Sequence, residues 1–133
     1  MIAPNPFIAA QEGNIYDLRV WQEKNKYNVV GLNITDKEHN SAPLIYTAAR
    51  FGRVEMVKYL VSEGVNLNVV QAHGSSALHA AAYYGHLEIV KLLVEAKIDV
   101  NIVNRYGTTA RDEASDLVQN GEQWKQIVSY LSS

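Results

Sequence analysis

Four histidines are the residues best able to do chemistry, because an imidazole can bind a metal ion or transfer a proton near neutral pH. They are His39, His73, His79 and His86, and no cysteine accompanies them. Without cysteine, disulfides, thiolate metal ligands and cysteine nucleophiles are excluded. A metal bound by His39 and His73 would need further ligands that the sequence does not place nearby, so we interpret both as solvated or partner-contacting residues.

The remaining polar residues form no catalytic pattern. The sequence contains no glycine-rich phosphate loop, no His-Glu-x-x-His pair and no Gly-x-Ser-x-Gly elbow. Asp112 and Glu113 are adjacent, so on a helix they point in different directions and are poorly placed to share an acid–base site. We therefore predict that the chain is not an enzyme and uses no cofactor and no metal.

Length and charge limit the remaining classes. With 133 residues the chain suits one hydrophobic core, and we expect a single domain over residues 1–133. The net charge of −2 supplies no positive field for nucleic acid. No apolar run approaches the ~18 residues of a membrane span, and the first residues do not resemble a signal peptide. We expect a monomer in the cytoplasm, with the nucleus as the alternative compartment and no membrane partner.

Internal repetition determines which elements position these residues. Residues 47–61 align with residues 80–94 at a spacing of 33, and the same spacing places Gly52 on Gly85 and Gly74 on Gly107. The clearest copy runs from Gly74 to Asn101, and it includes the Ala-Leu-His-Ala-Ala-Ala run that ends at Ala82. A repeat of this period and content resembles the ankyrin family, although Ser-Ala stands where Thr-Pro is usual.

The resemblance implies an all-α solenoid of stacked helix-turn-helix units joined by hairpin loops. The four units cover about residues 5–36, 37–70, 71–103 and 104–133. The first unit is six residues too long, and the surplus falls within Lys24 to Ser41; about five extra residues fall near Leu117 to Gly121 in the last. Irregular end units are expected because each has one neighbour, and Trp21 and Trp124 are interpreted as sealing the ends of the core.

Several single residues have structural interpretations within this unit. Ser76 and Thr109 are predicted to cap first helices, and Gly85 to turn the chain with a positive φ. Lys97 stands where the preceding repeat has Gly64, so we predict a strained, positive-φ helix end there. The resemblance implies that His79 is the structural histidine that hydrogen-bonds between neighbouring loops, and His86 is also interpreted as structural.

The resemblance also implies a binding side, formed by the hairpin tips and the first helices, which we call the front face; the second helices form the back. In each unit its positions are the residues around the hairpin tip and the two residues before the turn glycine. Gln11, Glu12, Lys37, His39, Asn40 and Ala72 occupy such positions. The predicted partner-binding residues are Arg50, Phe51, Val70, His73, Tyr83, Tyr84, Val103, Arg105 and Tyr106.

Aromatic residues and arginine often dominate the binding energy of protein interfaces. The alternative is that some of these rings pack against their own hairpins. We predict a protein–protein interaction module that binds another protein through this concave face; the alternative function is a compact ankyrin-type inhibitor of a signalling enzyme such as a kinase.

Asn101 ends a leucine, acidic, aliphatic, asparagine pattern that resembles the substrates of asparaginyl hydroxylases. Hydroxylation is therefore a secondary hypothesis, beside the structural role of hydrogen bonding the hairpin.

Overall fold

The computed structural model describes residues 4–133, which form eight α-helices and little other regular structure. The helices come in pairs, and each pair lies within one of the four predicted units. Their bounds are α1 Pro6–Glu12, α2 Ile15–Lys24, α3 Leu44–Arg50, α4 Val54–Ser62, α5 Ala77–Tyr83, α6 Leu87–Glu95, α7 Ala110–Ser115 and α8 Glu122–Leu131. None of the helices in this described range is long and apolar enough to cross a membrane.

The helices stack in two layers. The first helices α1, α3, α5 and α7 pack in sequence order, and each also packs on the second helix of its own unit. Alanines at the contacts allow the first helices to approach closely, and Ala10, Ala48, Ala49, Ala81, Ala82 and Ala114 are all fully buried. The second helices contribute most of the large buried side chains, and the first helices add Leu44, Ile45 and Leu78. The core runs through the whole stack as one layer between the two sets of helices.

The extra residues of the end units lie where the sequence predicts them. Between α2 and α3 the chain forms turns, a 3₁₀ turn at Gly31–Asn33 and a short hairpin of β1 (Thr35–Asp36) and β2 (Ala42–Pro43), which pair antiparallel with Thr35 opposite Pro43. Between α7 and α8 a 3₁₀ turn covers Val118–Asn120. Both additions are therefore accommodated in loops, and the helix stack continues past them.

The predicted helix caps are confirmed. The Ser76 hydroxyl accepts a hydrogen bond from the His79 amide, and the Thr109 hydroxyl accepts one from the Asp112 amide. In return the Thr109 amide donates to the Asp112 carboxylate at 2.9 Å, and this hydrogen bond lowers the pKa of Asp112. Both helices thus begin with reciprocal capping of otherwise unpaired amides. Gly85 turns the chain after α5 with a φ of +75°, as predicted.

At each of the three interfaces between units, a side chain of the later unit donates to a carbonyl at the end of the earlier unit's first helix. Arg53 Nε donates to Gln11 O at 2.7 Å, His86 Nε2 to Arg50 O at 3.1 Å, and Trp124 Nε1 to Tyr83 O at 3.0 Å. We call these three contacts the carbonyl ladder. Carbonyls at a helix end have no partner within the helix, so each contact satisfies an otherwise unpaired acceptor.

The hairpin tips are linked by backbone hydrogen bonds. The Ala72 amide donates to Asn40 O at 2.7 Å, and the Arg105 amide donates to His73 O at 2.9 Å. Within each tip one side chain organises the turn: Gln71 Oε1 accepts from the His73 and Ser75 amides. Asn104 Oδ1 accepts from the Tyr106 and Thr108 amides in the same way. Tips held in this manner give the front face a defined edge.

Candidate partner-binding face

The front face exposes the predicted aromatic residues. Phe51, Tyr83, Tyr84 and Tyr106 have 37%, 48%, 42% and 66% of their surface exposed. Phe51 and Tyr84 follow directly on the ends of α3 and α5, while Tyr106 lies in the hairpin before α7. Arg50 and Arg105 are exposed as well, and His73 is half-buried.

The helix-end residues form one continuous cluster. The Arg50 guanidinium lies 5.0 Å from the centroid of the Phe51 ring and 5.6 Å from that of Tyr84. Tyr84 in turn meets Tyr83 edge to face at 4.9 Å between centroids. Residues from two different units are therefore joined by cation–π and aromatic contacts, which keeps the rings ordered at the surface.

A second cluster lies at the hairpin tips. The His73 ring lies 6.1 Å from the Tyr106 ring, and the Arg105 guanidinium lies 5.4 Å from the same tyrosine. His73 Nδ1 is buried and has no hydrogen-bond partner among residues 4–133. His73 of one hairpin thus meets Tyr106 of the next, while Tyr106 remains exposed.

A groove of about 430 Å³ separates the two clusters. Four of the predicted residues line it, namely His73, Tyr83, Tyr84 and Tyr106. A larger groove of about 700 Å³ adjoins it on the side of the first two units and contains Arg50 and Phe51. Tyr46 and Gln71 line both, so the two grooves form one trough along the front face.

The other three predicted residues lie outside this trough. Val70 and Val103 are exposed but line neither groove. Arg105 also lines neither groove, but its guanidinium contacts Tyr106 and its backbone amide donates to His73 O. Val70 and Val103 precede Gln71 and Asn104, the residues that organise the hairpin turns. Repeat position alone grouped the valines with the aromatic residues, whereas the structure separates them.

Tyr46 is a residue of the trough that the sequence interpretation missed. Tyr46 occupies the repeat position of His79, but its ring is only half-buried and lines both grooves. Burial raises the pKa of Tyr46, and although nearby Arg50 opposes this shift, Tyr84 and Glu113 add to it. The phenol therefore keeps its proton at neutral pH and remains a hydrogen-bond donor.

Glu113 is another residue of the trough that the sequence interpretation did not predict. It lines the smaller groove, and its Oε1 accepts hydrogen bonds from Asn104 Nδ2 at 2.7 Å and Thr108 Oγ1 at 3.3 Å. Asp112 instead faces the helix cap at Thr109. The prediction that the two neighbouring carboxylates diverge is confirmed, but Glu113 faces the trough.

The histidines of the repeat core have structural roles, as predicted. His79 is buried; its Nε2 donates to Thr108 O in the next hairpin at 2.9 Å, while its Nδ1 accepts from the Ser76 amide at 3.1 Å. His86 belongs to the carbonyl ladder. His39, at the first hairpin tip, lies 2.8 Å from the Asp36 carboxylate and is largely exposed.

Asn101 differs from its predicted structural role. Asn33 and Asn68 each accept, through the side-chain oxygen, a backbone amide of the next unit, from Asn66 and Asp99 respectively. The Asn101 side chain makes no hydrogen bond within residues 4–133, and only its backbone amide bonds in its own loop, to Asp99.

Four stacked helix pairs with linked hairpin tips define a helical-repeat solenoid. Two family models match the chain: ankyrin repeats in three copies over residues 7–104, and ankyrin repeats in many copies over residues 78–131. The chain belongs to the ankyrin-repeat family, which confirms the resemblance and the all-α solenoid. No curated protein matches the sequence. Ankyrin repeats are generally protein–protein interaction modules.

Proposed function

We propose that this chain binds a partner protein through the trough on its front face and has no catalytic role. The observation that carries the proposal is the row of exposed Phe51, Tyr83, Tyr84 and Tyr106 with Arg50 among them. Large rings left half-exposed are unusual on a surface that meets only water, and aromatic residues with arginine are the types that dominate interface energies.

The form of the trough favours an extended segment or a ridge of the partner. It contains residues of α1, of the first three hairpins and of α3, α5 and α7, so a ligand along it would contact all four units. Such a long open surface suits a protein ligand better than a small molecule, because small molecules usually bind in enclosed cavities. Val70, Val103 and Arg105 would then contact only a partner that extends beyond the trough.

The non-catalytic part of the proposal is supported by how the candidate groups are used. Both ring nitrogens of His79 are engaged, and His86 donates to a backbone carbonyl. Asp112 caps a helix while Glu113 is bonded to Asn104 and Thr108. The Ser76 hydroxyl lies 3.0 Å from His79 Nδ1, but both residues are buried and the hydroxyl caps α5. Binding therefore accounts for the residues better than catalysis does.

The test replaces the exposed rings without touching the core. Affinity purification with the wild type and with the triple variant Phe51→Ala, Tyr84→Ala, Tyr106→Ala should identify the partner as a protein lost only from the variant. Titration calorimetry with that partner should then show each single change weakening binding by about 1 to 3 kcal/mol.

The matched control removes aromatic residues from the other side of the molecule. Tyr16 and Tyr27, in and after α2, are exposed and lie outside the trough. The double variant Tyr16→Ala, Tyr27→Ala should bind the partner normally, as should Lys91→Ala on the back. Full affinity in a folded triple variant would show that the front face is not the binding site.

An inhibitor of a signalling enzyme such as a kinase would use the same face as an adaptor. The two are distinguished by adding the chain to the captured partner. Loss of the partner's enzymatic activity would indicate an inhibitor, whereas unchanged activity in a stable complex would indicate an adaptor.

A further inference from the structure

The smaller groove has an unusual composition for a protein surface. Tyrosine rings from three units surround it, and Glu113 is the single carboxylate among its described lining residues, which include no lysine and no arginine. The faces of aromatic rings carry partial negative charge, so the rings and the Glu113 carboxylate both attract a cation. The tyrosines that line it are Tyr46, Tyr83, Tyr84 and Tyr106.

The Glu113 carboxylate is held in place with one oxygen left open. Oε1 is engaged by Asn104 and Thr108, which belong to the hairpin that forms the edge of the groove. Oε2 makes no hydrogen bond within residues 4–133 and is not buried away from solvent. A preoriented carboxylate with a free oxygen is suited to accept a charge-assisted hydrogen bond.

The rings at the rim already pair with cations of this chain. The Arg50 guanidinium lies 5.6 Å from the Tyr84 centroid, and the Arg105 guanidinium lies 5.4 Å from the Tyr106 centroid. These distances are within the range of cation–π contacts. The two arginines thus make cation–π contacts at the rim of the groove. The tyrosine rings inside the groove can make the same kind of contact with a cation of the partner.

We infer that the smaller groove receives one positively charged side chain, an arginine or a lysine, from the bound protein. The cation packs among the tyrosine rings and donates a hydrogen bond to Glu113 Oε2. The inference deepens the proposed function and rests on it, because it assigns to the trough one specific residue type in the partner. Phe51 and the larger groove then contact the neighbouring part of the same segment.

The test uses a small probe and needs no partner. N-acetyl-arginine amide is titrated into the isotope-labelled 133-residue chain, and ring signals are followed by NMR. We expect saturable shifts at Tyr46, Tyr84 and Tyr106, and none with N-acetyl-citrulline amide, which has nearly the same shape without the charge. N-acetyl-lysine amide should bind at the same site.

Three variants locate the interaction. Glu113→Gln keeps an oxygen for Asn104 and Thr108 and should weaken arginine binding at least about threefold. Tyr84→Leu keeps an apolar side chain but removes the ring, and should weaken it about two- to tenfold. Glu88→Gln removes an exposed carboxylate from α6 on the back and should change nothing.

Equal binding of the citrulline and arginine probes, or unchanged binding in a folded Glu113→Gln variant, would overturn the inference. So would shifts confined to other parts of the surface. The probe experiment does not depend on the partner, so the two hypotheses can fail separately. If the arginine probe does not bind but the triple alanine variant still loses a partner, the cation site is rejected and the proposed function stands.

Discussion

At the scale of single residues, His79 shows how one side chain links two units. Its Nδ1 accepts a hydrogen bond from the Ser76 amide, and its Nε2 must then carry the proton that is donated to Thr108 O. The tautomer with its proton on Nε2 satisfies both contacts. The residue therefore serves both as a cap partner of α5 and as a connection to the following hairpin.

Lys97 is a residue whose backbone conformation favours glycine. Its φ is +73°, close to the +76° of Gly64 in the preceding unit, which confirms the predicted positive-φ helix end. A side chain with Cβ is strained in this conformation. We expect Lys97→Gly to raise the free energy of unfolding by roughly 0.5 to 1 kcal/mol in urea denaturation.

The neighbouring residue provides the control for this change. Ala96 has a φ of −81°, so glycine brings no relief there, and Ala96→Gly should lower stability instead. A loss of stability in Lys97→Gly of the same size as in Ala96→Gly would contradict the explanation.

Asn101 remains a candidate for modification. Its side chain is exposed, and unlike Asn33 and Asn68 it is not engaged by a neighbouring unit within the described residues. We propose that an asparaginyl hydroxylase can modify Asn101 in preference to those two. Mass spectrometry after incubation with active enzyme should place the added oxygen on the Asn101 peptide, and an unmodified Asn101 would reject the proposal.

At the scale of elements, the carbonyl ladder explains two glycines. A Cβ on Gly52 would lie 2.8 Å from the His86 ring, and one on Gly85 would lie 2.9 Å from the Trp124 ring. Both glycines are therefore needed for close approach as well as for their positive φ. The turn between the two helices of one unit is thus shaped by a side chain of the next.

Trp124 allows the ladder to be tested. Its ring packs on the core and its Nε1 donates to Tyr83 O, while Trp21 also packs on the core but has no such hydrogen bond in the described chain. Both changes to phenylalanine lose similar packing. We expect Trp124→Phe to lower the free energy of unfolding by about 0.5 to 1.5 kcal/mol more than Trp21→Phe does.

Urea denaturation of the two variants measures this difference. Equal losses in Trp124→Phe and Trp21→Phe would mean that the ladder contact at Tyr83 contributes nothing net. The sequence interpretation, in which Trp124 only seals the end of the core, would then be sufficient.

At the scale of the whole molecule, the fold could be predicted from the sequence because the residue pattern of one helix pair recurs at a spacing of 33 residues. Repeat position also predicted that Phe51, Tyr83, Tyr84 and Tyr106 lie at the surface, and all four are exposed. It could not identify Tyr46, because the matching residue, His79, is buried in the next unit. It also could not separate Val70 and Val103 from the trough, because such separation depends on how side chains of different units meet.

The direction of the carbonyl ladder bears on how copies of this protein could associate. In all three ladder contacts the later unit donates and the earlier unit accepts. The side chains of His79 and Gln22 instead donate from the earlier unit to the later one. The two sides of each unit are thus chemically different. A two-fold symmetric dimer joins identical surfaces, so it would place donor against donor and could not reproduce this packing. Only head-to-tail contact could do so, and such contact produces a ring where its rotation closes and an open filament where it does not.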